Sequence, residues 1–178
     1  MLKFIKNNKT ALYGGLMATL FIGSGAFLLG NISGYEAKNL IEASVSGLNV
    51  LCNTIILAAA TILALLLTLL GVSNKSKDTI KEEHYFHVLS IAKTDVIVLI
   101  CAMVFFQFIN IPVFESDKVK ENLYEIIYWA ILATSSIISG MMITVILMLY
   151  IAIRDLISII GLGENNPMIS KQEDNEKK

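Results

Sequence analysis

The stretch VSGLNVLCNTIILAAATILALLLTLLGV, residues 45–72, contains no Asp, Glu, Lys, Arg or His. A helix needs roughly 20 predominantly apolar residues to cross the hydrocarbon layer of a membrane, so this stretch is long enough to do so. Three further runs lack the same five residue types, at 11–32, 96–111 and 126–153. The run at 96–111 reaches spanning length if its helix begins a turn earlier. The sequence therefore predicts an all-α integral membrane protein with four transmembrane helices arranged in two hairpins.

The composition agrees with this class. Hydrophobic residues make up 55% of the 178-residue chain, charged residues make up 16%, and the mean hydropathy is +0.67. These values lie outside the range of soluble domains. The bilayer is thus the first predicted partner. Nucleic acid is not a predicted partner, because no basic patch accompanies the net charge of -1.

Two capping patterns and a proline set the predicted helix boundaries. Ser33 with Glu36, and Thr79 with Glu82, match the spacing of a capping box at a helix start, and Pro112 ends a helix. The predicted segments are a cytoplasmic amino-terminal segment at 1–10, a four-helix transmembrane domain at 11–160 and a disordered cytoplasmic tail at 161–178. Within the transmembrane domain we expect helices at about 11–32, 34–72, 79–111 and 123–157.

The distribution of basic residues predicts the orientation. Eleven of the 14 Lys and Arg residues lie in the amino-terminal tail, in the 73–93 loop or in the tail from Arg154 onward. Cytoplasmic loops carry such an excess in membrane proteins. We therefore expect a multi-pass protein of the cell membrane with both termini on the cytoplasmic side.

Small residues recur on the faces of the first and fourth predicted helices. Lipid tails give helices no hydrophobic reason to associate, so close packing through small residues drives their contact. The candidate helix-packing residues are Gly15, Thr19, Gly23, Ser136, Ser139 and Gly140. Together with the small residues of the second helix, these faces exceed what one four-helix unit has to bury, which predicts a homo-oligomer.

Polar side chains interrupt the second predicted helix, and they form a candidate pore or polar interface. In one interpretation the amides bond across helices and the hydroxyls bond carbonyl groups of their own helix. In the other, one polar stripe lines a water-filled path and supplies oxygen atoms to passing ions. We expect the asparagine side to face inward. The residues are Asn49, Asn53, Thr54, Thr61 and Thr68.

The third predicted helix carries a candidate pH-sensing cluster of His84, His87 and Asp95. His84 and Asp95 fall within about 20° of each other on a helical wheel, and histidine titrates near physiological pH. In the alternative interpretation these side chains and Lys93 lie at the inner interface and bind no ligand. No convincing third metal ligand accompanies the two histidines, and the two cysteines lack metal-binding spacing, so we predict neither a metal nor a cofactor.

No sequence pattern of a known catalytic site is present, which predicts that the chain is not an enzyme. Three functions are compatible with the sequence. The first is a homo-oligomeric ion-conducting pore lined by the second helix. The second is an accessory or scaffold subunit that binds another membrane protein through its small-residue faces. The third is a membrane-disrupting effector.

Overall fold

The computed structural model describes residues 9–27, 34–75, 82–111 and 121–161. Nearly all of these residues belong to four α-helices, which are α1 (Lys9–Phe27), α2 (Gly34–Lys75), α3 (Glu82–Ile109) and α4 (Glu121–Gly161). The prediction of an all-α chain with four helices is confirmed. The capping residues Ser33 and Thr79, residues 1–8 and the tail beyond Gly161 lie outside the described residues.

Three of the helices are long and apolar enough to cross a membrane, over Ala37–Gly71, Tyr85–Ile109 and Leu123–Ile157. The membrane class is confirmed to that extent. In the described part of the chain α1 is not among the candidate spans, so the fourth crossing stays a prediction. At 1.5 Å per residue, the 42 residues of α2 extend over about 63 Å, roughly twice the thickness of a hydrocarbon layer.

Neighbouring helices run antiparallel. The start of α1 and the end of α4 line the same cleft, since Thr10 lies there with Arg154. At the opposite end, Asn49 of α2 pairs with Asn110 at the end of α3. Lys9 and Gly161 are consequently at the same end of the bundle. We call this the Arg154 end and the opposite one the Lys38 end, where the Lys38 ammonium lies 5.8 Å from the centre of the Tyr124 ring.

The core forms where α2, α3 and α4 meet. The buried residues of α3 recur every three or four positions, which is the spacing that keeps one helix face toward its neighbours. This face packs against both α2 and α4. We call it the α3 seam, and its residues are Val88, Ile91, Asp95, Val98, Ala102, Phe105 and Ile109. One carboxylate thus lies within an otherwise apolar row.

The helix α1 packs chiefly against α4, and the closest approach is at Gly15 and Gly140. A Cβ atom on Gly15 would overlap the Thr144 hydroxyl and lie 2.7 Å from the carbonyl oxygen of Gly140. A Cβ atom on Gly140 would overlap the Thr19 hydroxyl and lie 2.8 Å from the carbonyl oxygen of Gly15. The contact is reciprocal because each helix contributes a glycine followed four residues later by a threonine.

The two threonines at this crossing are satisfied within their own helices. The Thr19 hydroxyl donates to the carbonyl of Gly15 at 2.9 Å, and the Thr144 hydroxyl donates to the carbonyl of Gly140 at 3.0 Å. Of the other candidate packing residues, Gly23 has no side-chain or backbone atom within 4 Å of where its Cβ would be. The close contact is therefore confined to one short segment of α1.

We expect Gly15→Ala to lower the free energy of unfolding by about 1–3 kcal/mol, because the added methyl group meets backbone that cannot move aside. Gly23→Ala is the matched control. It adds the same methyl group to open space and gains helix propensity, so stability should hold or rise by up to about 1 kcal/mol. Unfolding in detergent followed by circular dichroism measures both, and equal effects of the two substitutions would contradict this packing.

Candidate functional site

The exposed side of α2 carries a regular row of mostly small residues. Two sets of exposed positions each repeat every seven residues and are offset by four, which is the pattern of a surface that contacts another helix. No helix of the described part of the chain covers them. We call this surface the outer seam, and its residues are Ala43, Gly47, Val50, Thr54, Leu57, Thr61, Ala64, Thr68 and Gly71.

The threonines of the outer seam have hydrogen-bond partners in α2 itself. The hydroxyls of Thr54 and Thr61 donate to the carbonyl oxygens four residues earlier, each at 2.8 Å, and the Thr68 hydroxyl does so at 3.1 Å. A hydroxyl bonded in this way does not require water or a second helix. These residues therefore suit close, dry helix packing.

Asn49 takes part in a contact between α2 and α3. Its amide nitrogen donates to the Asn110 side-chain oxygen at 3.3 Å, and the Asn110 amide nitrogen donates back at 3.0 Å. Asn110 also donates to the carbonyl of Phe106 at 2.8 Å. We call this reciprocal pair the amide clasp. Sequence reasoning missed Asn110, although an amide just before Pro112, at the same end of an adjacent antiparallel helix, was a usable signal.

Asn53 is placed differently from Asn49. Four residues turn a helix by about 400°, so Asn53 is rotated some 40° beyond Asn49, away from α3. Its side chain is exposed beside the outer seam, and it has no hydrogen-bond partner among the described residues. It also lies near the middle of the candidate span Ala37–Gly71. An amide that faces hydrocarbon without a hydrogen-bond partner costs several kcal/mol, so the absence of a partner for Asn53 among the described residues sets it apart from Asn49.

His87 and Asp95 both lie on the side of α3 that is buried, but their surroundings differ. His87 is 7% exposed and lines the cleft at the Arg154 end. Asp95 is fully buried, eight residues and therefore about 12 Å further along the helix. The His84 side chain lies outside the described part of the structure. The predicted cluster is thus distributed along the helix axis rather than gathered at one point.

The cleft at the Arg154 end has a volume of about 420 Å³ and is bordered by α1, α3 and α4. His87, Tyr150, Arg154 and Asp155 are its polar lining residues. Arg154 donates to the Asp155 carboxylate at 3.0 Å, and the Asp155 side chain is 20% exposed. The cleft therefore presents an imidazole, a phenol and an ion pair to solvent at one end of the bundle.

Two serines of α4 form hydrogen bonds within their own helix. The hydroxyls of Ser135 and Ser136 both donate to the carbonyl of Leu132, at 3.0 and 2.8 Å, and both side chains are buried. Ser139 is half-buried. Among the residues whose placement is described, no three His, Cys, Asp or Glu side chains come close enough to hold a metal ion. Asn53 and Asp95 differ from these serines, because neither side chain forms a hydrogen bond with the described residues.

We expect the two residues of the amide clasp to be energetically coupled. Asn49→Leu and Asn110→Leu should each lower the stability of the bundle, and the double variant should lose less than the sum, with a coupling of about 0.6 kcal/mol. Steric-trap or denaturant unfolding in bicelles gives the four free energies. Additive losses would show that the clasp contributes nothing, and Asn53→Leu, which breaks no hydrogen bond among the described residues, is the control.

Comparison of the chain with protein-family models, with curated proteins and with solved structures finds no match in any of the three.

Proposed function

We propose that this protein crosses the membrane four times with both termini in the cytoplasm, and that copies of it assemble around α2 into an ion-conducting homo-oligomer. The proposal rests on Asn53, whose exposed amide lies in the middle of a candidate span and has no hydrogen-bond partner in the described helices. The threonines of the outer seam find partners in their own helix, whereas this amide does not.

A second copy of the chain suits Asn53 better than an unrelated helix. Rotation about an axis along the membrane normal brings the same residue of every copy to the same depth. An amide both donates and accepts hydrogen bonds, so the Asn53 side chains in a ring can form hydrogen bonds with one another and with water. The small residues of the outer seam let the α2 helices approach closely enough for this.

The geometry of α2 also indicates where a path would lie. A bundle of four helices fills its own centre with side chains, so ions must pass between copies. If the outer seam packs against the neighbouring copy, the adjacent exposed row of Ser46, Asn53, Ala60 and Leu67 faces the axis. The oxygens of Ser46 and Asn53 would replace water around an ion, and Leu67 would form an apolar constriction closer to the Arg154 end.

An accessory or scaffold subunit is the alternative that the structure also favours. The observation behind it is that the outer-seam hydroxyls are already bonded, which suits dry contact with a helix of another membrane protein. In that case a partner helix with a donor or acceptor at the depth of Asn53 would copurify in fixed stoichiometry. The protein would be a monomer in the absence of that partner.

We expect the wild-type protein to be a closed oligomer in nanodiscs and to conduct in planar bilayers. Asn53→Leu should lower the association constant of the copies at least about tenfold, equivalent to roughly 1.4 kcal/mol, and should thereby shift the protein toward monomer and reduce the current. Native mass spectrometry gives the mass of the complex, and single-channel recording gives the current.

Asn49→Leu is the matched control, because it removes the same side chain one turn away on the side that faces α3. It should lower the stability of each bundle and leave the oligomer mass unchanged. A monomeric wild-type protein, or an Asn53→Leu variant with unchanged mass and current, would refute the proposal.

A further inference from the structure

The carboxylate of Asp95 is the most unusual group in the described part of the chain. The side chain is 0% exposed, and neither of its oxygens has a hydrogen-bond partner. Its nearest neighbours on the α3 seam are Ile91 and Val98, both also fully buried. Buried carboxylates in proteins are ordinarily paired or hydrogen-bonded, because an isolated charge in such a place is very costly.

The helix register places Asp95 well inside the apolar layer. The amide clasp puts Asn110 level with Asn49, so Asp95, fifteen residues back along α3, is about level with Ala64 of α2. The apolar stretch of α2 continues for eight more residues, about 12 Å, to Val72. The apolar run of α3 begins at residue 96, and taken alone it would place Asp95 close to the membrane interface. The longer apolar runs of the neighbouring helices place Asp95 deeper.

No counter-charge faces Asp95 from the helices packed around it. Residues 45–72 of α2, 126–153 of α4 and 11–27 of α1 contain no Asp, Glu, Lys, Arg or His. On α3 itself, Lys93 is exposed and lies some 160° around the helix.

The titratable groups nearest in register are weak acids and one imidazole. Along the α3 axis, the Cys101 thiol is about 9 Å away and His87 about 12 Å away, whereas Cys52 of α2 is about 18 Å away by the same register. The phenol of Tyr128 lies toward the Lys38 end, and that of Tyr150 lines the cleft at the Arg154 end.

We propose that Asp95 is an intramembrane proton-binding site, which holds one proton as a neutral carboxylic acid and exchanges it through the cleft at the Arg154 end. A metal cation at this point would need several oxygen ligands, but neither Asp95 oxygen has a polar partner and no three His, Cys, Asp or Glu side chains come together among the described residues. A proton needs only the carboxylate itself. This inference concerns a single copy of the chain and does not rest on conduction or on oligomer formation.

His87 provides the route between solvent and Asp95. It lines the cleft and lies on the same buried side of α3, with Ile91 between the two residues. Imidazole takes up and releases protons near neutral pH, so His87 can pass a proton inward. Because Ile91 is fully buried, the described conformation is the closed form, and exchange requires Ile91 to move or a water molecule to enter.

Infrared spectroscopy of the full-length protein in nanodiscs at neutral pH tests this site. We expect a carbonyl band of a protonated carboxylic acid in the wild-type protein, its loss in Asp95→Asn and its retention in Glu125→Gln, whose side chain is exposed and lies outside the cleft. In heavy water the band should shift on deuteration, and in His87→Phe the shift should be slower by at least about tenfold. A wild-type spectrum with no such band, or one that Asp95→Asn leaves unchanged, would overturn the proposal.

A second measurement applies even if Asp95→Asn does not fold. Dicyclohexylcarbodiimide reacts with protonated carboxylic acids in apolar surroundings: the acid proton moves to a carbodiimide nitrogen, the carboxyl oxygen bonds to the central carbon, and the acyl group then migrates to nitrogen as a stable acylurea. Mass spectrometry of the labelled wild-type protein should find this adduct on Asp95. Labelling confined to other carboxylates would refute the proton site and would leave the oligomer proposal untouched.

Discussion

Polar groups in a hydrocarbon layer must find partners within protein, and the architecture of this chain follows from how each of them does so. The threonines of α2, and Ser135 and Ser136 of α4, donate to carbonyl groups of their own helices. Asn49 uses an amide of the neighbouring helix. Asn53 and Asp95 find no hydrogen-bond partner in the described part of the chain, and for that reason they carry the functional proposals.

Much of the helical framework could be predicted from the sequence, because the length of an apolar run is a direct measure of the helix needed to cross a membrane. The runs at 45–72 and 126–153 each lie within one long helix of the structure. Small residues at four-residue spacing likewise pointed to close helix contact, and the structure brings Gly15, Thr19 and Gly140 together. The contribution of Thr144 was missed, because a threonine in an apolar helix has no distinctive pattern.

The positions of Asn49 and Asn53 relative to the neighbouring helices could not be predicted, because they depend on the side from which α3 approaches α2. A rotation of about 40° per four residues is enough to separate a bonded amide from an exposed one. The complete burial of Asp95 could not be predicted from the sequence for a related reason. The apolar run of its own helix is short, and only the packing of α2 and α4 against α3 encloses the residue.

The attachment of α1 chiefly to one neighbour has a consequence for biogenesis. The helices α2, α3 and α4 contact one another pairwise and can form a stable unit during insertion, whatever the state of α1. Although α1 precedes these three helices in the chain, it would then be the last of the four to dock, once Gly15 reaches Gly140. Until α1 docks, the Gly140 surface of α4 is uncovered.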